Sequence, residues 1–220
     1  MAVSPSSTSP SSTAASARPG VTAKGRATRD RIVVAAAALI FDHGVESTTL
    51  DDIGEAAGVG RSQLYHYFAD KADLVRAVID RQTEQILAAQ RPLLGAMDSW
   101  EAWARWRNAI VGVQRARQCA GGCPIGSLAS ELADTDEDAR VALAAGFDRW
   151  GQEIHEGVRS MQRQGHIRTD ADTDALALAT LASLQGGLLL CQVHKDVRPL
   201  EAALDAAIAH LRSFAPSRSR

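Results

Sequence analysis

Residues 49–74 read TLDDIGEAAGVGRSQLYHYFADKADL: a helix, a glycine turn, a second short helix and the start of a third. Thr48 and Thr49 stand where an N-cap is wanted. Asp51 and Asp52 fill the first turn, where a carboxylate meets unpaired backbone N–H groups and the positive end of the helix dipole. Leu50, Ile53 and Ala57 share one helical face, Gly58 supplies the stop and Val59 can turn inward. Gly54 leaves no side chain where two crossing helices must approach. In the second helix, residues 61–68, Leu64 and Phe68 are spaced i, i+4 for a core. That leaves Arg61, Ser62, Gln63, Tyr65, His66 and Tyr67 to offer hydrogen bonds outward, the face a recognition helix turns to the major groove of DNA. A plain three-helix core with a chance glycine turn is the alternative, and it does not explain why caps, turn and outward polar face agree.

The run LYHYFADKADL after AGVGRSQ resembles the helix-turn-helix of the TetR family of bacterial one-component transcriptional regulators, over residues 29–78. The resemblance implies that Ser62, Gln63 and Tyr65 face bases or phosphates; Thr49, Arg61 and His66 are further candidate DNA contacts. It also implies that Tyr67 stands where the family often has His, and that Lys71 binds a phosphate at the start of the next helix. One departure is Gly60 at the N-cap of the recognition helix, where Ser or Thr is frequent; it shifts contact toward Arg61 and Ser62.

With 220 residues, 45% of them hydrophobic, the chain can bury one substantial core or a small domain fused to a medium one. The net charge of −2 requires any DNA-binding charge to be concentrated. Arg18, Lys24, Arg26, Arg29 and Arg31 gather at the first helix against Asp30 alone. Aromatics make up only 5%, and Ala, Leu, Arg, Asp and Glu recur at helical periods, so an all-α protein is expected. No signal peptide or membrane span is legible, and three cysteines argue against a disulfide framework, so a cytoplasmic protein is expected.

The expected organisation is a Ser/Pro/Thr-rich disordered tail at 1–24, a helix-turn-helix domain at 25–70, a helical ligand-binding and dimerisation domain at 71–214, and a tail at 215–220. A first helix from Thr28 ends at Gly44, and the helix after Lys71 should break or bend at Pro92. Trp100, Trp103, Trp106, Ile110 and Val113 recur on the next helix; Leu143, Phe147, Trp150, Ile154, Val158 and Met161 stripe a later one. Residues 176–190 are apolar nearly all round, with Gly186 and Gly187 allowing close approach, and Leu200, Ala203, Leu204, Ala207, Ile208 and Leu211 form a bundle stripe. These two helices either close a monomer core or pack on a two-fold mate, where the resembling family dimerises. In the second case Leu184, Gly187, Leu188, Leu204, Ile208 and Leu211 form the interface.

Met97, Trp100, Trp103, Trp106, Phe147, Trp150 and Met161 could line an apolar effector pocket or serve as plain core. In QCAGGCPIGSLASEL, Cys123 falls at an N-cap before Pro124, where free N–H groups stabilise a thiolate. Cys119 and Cys123 are therefore candidate redox residues, or small residues at a tight helix junction; a subgroup of the resembling family has a similar Cys-Pro-x-Gly-Ser-Leu segment there. No catalytic constellation, metal spacing or cofactor motif is legible. His155, His166 and His194 lack ligand spacing, and Glu131 with Asp134 reads as a solvated face. The expected protein is a homodimeric repressor on palindromic double-stranded operator DNA, released by a small, mostly apolar effector. A thiol sensor through Cys123 and a ligand-independent architectural dimer are the alternatives.

Overall fold

The computed structural model describes residues 22–216, and among them nine α-helices and no strand. The first helix, α1 (Ala23–Ser47), is capped by Thr22, whose Oγ1 accepts the Gly25 N–H at 3.1 Å. Ala23 and Lys24, expected in the tail, are thus already helical and Thr22 caps them; residues 1–21, Arg18 among them, lie outside the described residues. Gly44 interrupts α1 at φ 80°, as its sequence position implied, yet one further turn follows it and buries Val45.

Helix α2 (Leu50–Ala57) opens with a complete capping box. The Thr49 hydroxyl accepts the Asp52 N–H at 3.1 Å, and the Asp52 carboxylate accepts the Thr49 N–H at 3.0 Å. Gly58 closes the helix in the left-handed region, and Val59 leads into α3 (Arg61–Tyr67). Gly54 permits this tight turn: a Cβ there would sit 3.2 Å from the Val59 carbonyl oxygen and 3.8 Å from Leu64 of α3. Ile32 and Ile40 of α1, Ile53, Leu64, Phe68 and Leu74 bury their side chains together, a small core that fixes α3 from behind.

Helix α4 (Lys71–Leu94) is the joint between the two halves. Its first turns pack on α1 and its remainder on α7 (Glu137–Arg163). Pro92 does not break it, because the proline lies within the last turn and forfeits one terminal bond only. α4 also meets α5 (Trp100–Ala116) and α6 (Pro124–Leu132), while α8 (Thr173–His194) packs on α7 and α9 (Arg198–Arg212) packs on α5 and α8. Arg107 of α5 clasps Asp205 of α9 at 2.9 and 2.8 Å. Glu84 of α4 joins Arg91 of the same helix and Arg149 of α7, each at 2.6 Å. α8 is long and apolar enough to cross a membrane by length and composition, but here it packs between α7 and α9.

The all-round apolar character of α8 resolves into two faces. Leu176, Leu181, Leu184 and Leu188 are buried in the chain's own core, while Leu178, Leu189, Leu190 and Val193 are exposed, Leu178 by 68% and Val193 by 67%. The interface expected from the sequence is therefore corrected. Leu184, Leu188, Leu204 and Leu211 already fill the intrachain core, and Ile208 is half-buried against it. Gly187 gives close approach to Leu200 and Ala203 of the same chain.

Candidate DNA interface and effector cavity

On α3 the side chains of Arg61, Ser62, Gln63, Tyr65 and His66 are exposed, whereas Tyr67 is half-buried with its ring edge to face against His66 at 5.0 Å. Gly60 provides no side-chain cap, as its identity required. Arg61 lies over the Tyr65 ring at 5.9 Å and 3.9 Å from Asp51, an exposed pair that leaves the guanidinium on the outer face. A hydrogen bond to Tyr65 and the Asp51 charge hold this guanidinium above its usual pKa. Two expected DNA contacts have structural duties. Thr49 is committed to the capping box, and Lys71 donates from Nζ to the Glu46 carbonyl at 3.3 Å, tying the start of α4 to the end of α1. Exposed Lys24 and Arg31 add positive charge along α1, while Arg29 lies 4.9 Å over the Phe68 ring.

Behind this head lies a cavity of about 250 Å³ between α4, α5, α7, α8 and the start of α6. Of the seven residues expected to line it, only Trp106 and Trp150 do so. Met97, Trp103 and Met161 are fully enclosed core; Met97 fills the gap left by Gly157, and Trp103 packs edge to face on Trp106. Trp100 is half-buried beneath Arg212, and Phe147 is half-buried on the core. The wall that was missed is largely aliphatic with amides as its main polar groups: Gln82, Gln85, Gln90 and Gln114 line it with Leu93, Ile110, Leu184 and Leu188. The available signal was Gln82 and Gln90 on the inward face of α4, where a polar residue demands a partner. Gln90 has one, accepting from the Trp106 indole at 3.0 Å.

Cys123 caps α6 and lines the same cavity, but burial pushes its thiol up, outweighing the helix-start amides of Gly126 and Ile125. The thiolate expected from its N-cap position is thereby corrected. Cys119 does not share that setting: it hydrogen-bonds with Cys191 of α8, whose thiol burial and this neighbour push up to about 12. All three cysteines are free. Among the described residues no cluster of His, Cys, Asp or Glu is arranged to hold a metal ion.

Residues 32–78 match the family model for bacterial regulatory proteins of the tetR family, and residues 93–207 match the tetracyclin repressor-like C-terminal domain. An uncharacterised HTH-type transcriptional regulator of Mycobacterium tuberculosis is 28% identical over 202 residues, covering 87% of this chain and 98% of that one. The HTH-type transcriptional repressor DhaR of a Mycobacterium species is 24% identical, over 79% of this chain and 86% of its own. The fold recurs in a TetR regulatory protein of Rhodobacter sphaeroides, with TM-score 0.72, 23% identity, and coverage of 83% and 98%. With both halves matched in order around α4, the chain belongs to the TetR family of transcriptional regulators, its helix-turn-helix serving to bind DNA.

Proposed function

We propose that this regulator is a homodimeric repressor that leaves a palindromic operator when a small, mainly apolar effector enters the cavity beside α4. The observation that carries the reading is the position of that cavity. Gln82, Ile86, Gln90 and Leu93 of α4 form one wall of it, and the same helix begins at Lys71, directly after the reading helix. A molecule seated there presses on the element that sets the attitude of the head. Release requires the effector to bind more tightly to the head arrangement that does not fit DNA, since equal affinity for both arrangements shifts nothing.

In this reading Arg61, Ser62, Gln63, Tyr65 and His66 meet the major groove, Tyr67 supports them at its edge, and basic residues of α1 meet phosphates. A second copy covers the outward face of α8, where Leu178, Leu189, Leu190 and Val193 stand exposed. Two-fold symmetry then sets the heads roughly 34 Å or a multiple apart, so the operator is an inverted repeat. Acting on bacterial chromosomal DNA, the protein works in the cytoplasm.

Footprinting of the DNA upstream of its own gene tests this directly. One short protected inverted repeat is expected. Many weakly protected sequences with steep salt dependence would identify an architectural binder instead.

A further inference from the structure

We infer that the segment between α5 and α6, residues 118–122, is a joint through which the cavity acts on the reading head, and that its working contact is the Phe41 ring of α1 on the backbone of Gly121. The inference rests on the operator-and-effector reading above and names the route from cavity to head.

In this segment Gln118, Cys119, Gly121 and Gly122 all have left-handed backbones, with φ between 50° and 81°. For Gln118 and Cys119 that conformation is strained, because their Cβ atoms crowd the following carbonyl oxygen. Neighbouring contacts hold it in place. Cys119 is buried and donates its N–H to the Gln114 carbonyl at 2.8 Å, and at Gly122 the Gln192 side chain of α8 fills the space where a Cβ would stand. The two adjacent glycines then meet different partners. Gly122 lines the cavity beside α4, and having no side chain it does so with its backbone. Gly121 meets the head: a Cβ there would lie 2.5 Å from Cζ and 2.8 Å from Cε2 of Phe41, so the ring rests directly on the main chain. Phe41 stands on α1, the helix that packs against α2 and carries the head, and it is 55% exposed, so few other contacts hold its ring. Gly121 and Gly122 share one planar peptide unit. A molecule that displaces Gly122 from the cavity side therefore moves the seat of Phe41 as well.

Linkage makes the joint testable without an effector: if the segment biases the head, fixing the head on DNA alters the segment by the same free energy. Hydrogen exchange of the full chain, free and bound to the footprinted operator, reads this in peptides covering 118–123. Exchange there should slow severalfold in the wild-type complex, and the slowing should vanish in Phe41→Ala, which keeps operator affinity within about threefold. Gel shifts give the second measurement. Gly121→Ala, which drives a methyl group into the ring, should weaken operator binding roughly tenfold, and adding Phe41→Ala should restore most of that loss. Gly165→Ala, at φ 75° with open space around it, carries the backbone strain alone and should leave operator affinity unchanged. Should Gly121→Ala not fold, the exchange comparison of wild type with Phe41→Ala decides by itself. The joint is overturned by loop exchange that ignores operator binding, or by slowing that persists in Phe41→Ala. An unweakened Gly121→Ala, a loss that Phe41→Ala does not relieve, or an equal loss in Gly165→Ala overturns it too. Each of these leaves the cavity and the operator as read, whereas a wild-type chain that protects no inverted repeat overturns the joint together with that reading.

Discussion

Glu131, near the end of α6, accepts the backbone N–H of Val45 at 2.5 Å and that of Glu46 at 3.2 Å. Those amides lack helical partners because Gly44, at φ 80°, breaks α1 one turn before its end. The carboxylate therefore caps a restarted turn at the base of the reading head. The approach is close, since a Cβ on Gly44 would lie 3.2 Å from a Glu131 oxygen. At its other end α6 begins with Pro124 on the cavity beside α4, seven residues and about 10 Å from Glu131 at 1.5 Å per residue. Gln82 borders both that cavity and a second recess of about 230 Å³ that Glu131 also lines. One short rigid helix thus joins the cavity wall to the base of the head.

Glu131→Ala should uncouple the two. Loss of these charge-assisted bonds at a partly exposed site costs about 1 kcal/mol, a fall in Tm of roughly 2–4 °C for a chain of this size. Operator affinity should hold within about threefold, while saturating effector should lose most of its power to release DNA. Gel-shift titrations with and without effector measure both quantities, and an unaltered effector response in the variant would remove α6 from the coupling route.

Arg61 and Gln63, two residues apart on α3, should fail in different ways. Arg61→Ala should weaken binding about equally on all sequences and reduce the salt slope by about one. Gln63→Ala should cost about 1–3 kcal/mol on the operator and relax preference at one base position. Affinities measured over a library of single-base operator variants separate the two. A uniform loss for Gln63→Ala would make it a phosphate contact.

The reading head was legible in the sequence because its determinants are local. The Thr49–Asp52 capping box, the Gly58 turn and the Leu64–Phe68 spacing each act within four residues. The cavity beside α4 was not legible, since it is the space left when five segments meet. Large aromatics such as Trp103 proved to be filler, and the wall fell to glutamines whose partners lie far along the chain. Glu131 shows the same limit: in sequence it sits among acidic neighbours like a solvated surface residue, and its role depends on a glycine break 87 positions away, at Gly44. On α8, composition identified a helix that is apolar on both faces. It could not tell which leucines face the chain's own core, because both faces are apolar.

In the proposed dimer, the two faces of α8 should separate stability from assembly. Leu178→Glu, on the exposed face, should leave Tm nearly unchanged while converting the dimer to monomer and abolishing tight operator binding. Leu204→Ala, fully buried on α9, should instead cost about 2–5 kcal/mol by opening a cavity. Light scattering during size exclusion, paired with thermal melts, distinguishes the two losses. A dimer that survives both Leu178→Glu and Val193→Glu would place the mate on another surface.

Thiol chemistry gives the last test, because burial works against reactivity here. Cys123 lies within a largely apolar wall, and the Cys191 thiol is pushed from 9.0 to about 12 by burial and by Cys119 beside it. The thiolate is the reacting form, so folded protein at pH 7 should be alkylated by iodoacetamide far more slowly than unfolded chain. The stability contribution has a definite sign. A thiol whose pKa is raised on folding binds its proton more tightly in the native state. Its contribution is fully present below pH 9 and drains away as pH rises from there toward about 12. Denaturant midpoints should accordingly fall across that alkaline window in the wild type, and fall less steeply in Cys191→Ala. Rapid stoichiometric alkylation of the native protein at neutral pH would instead restore a sensing role to Cys123.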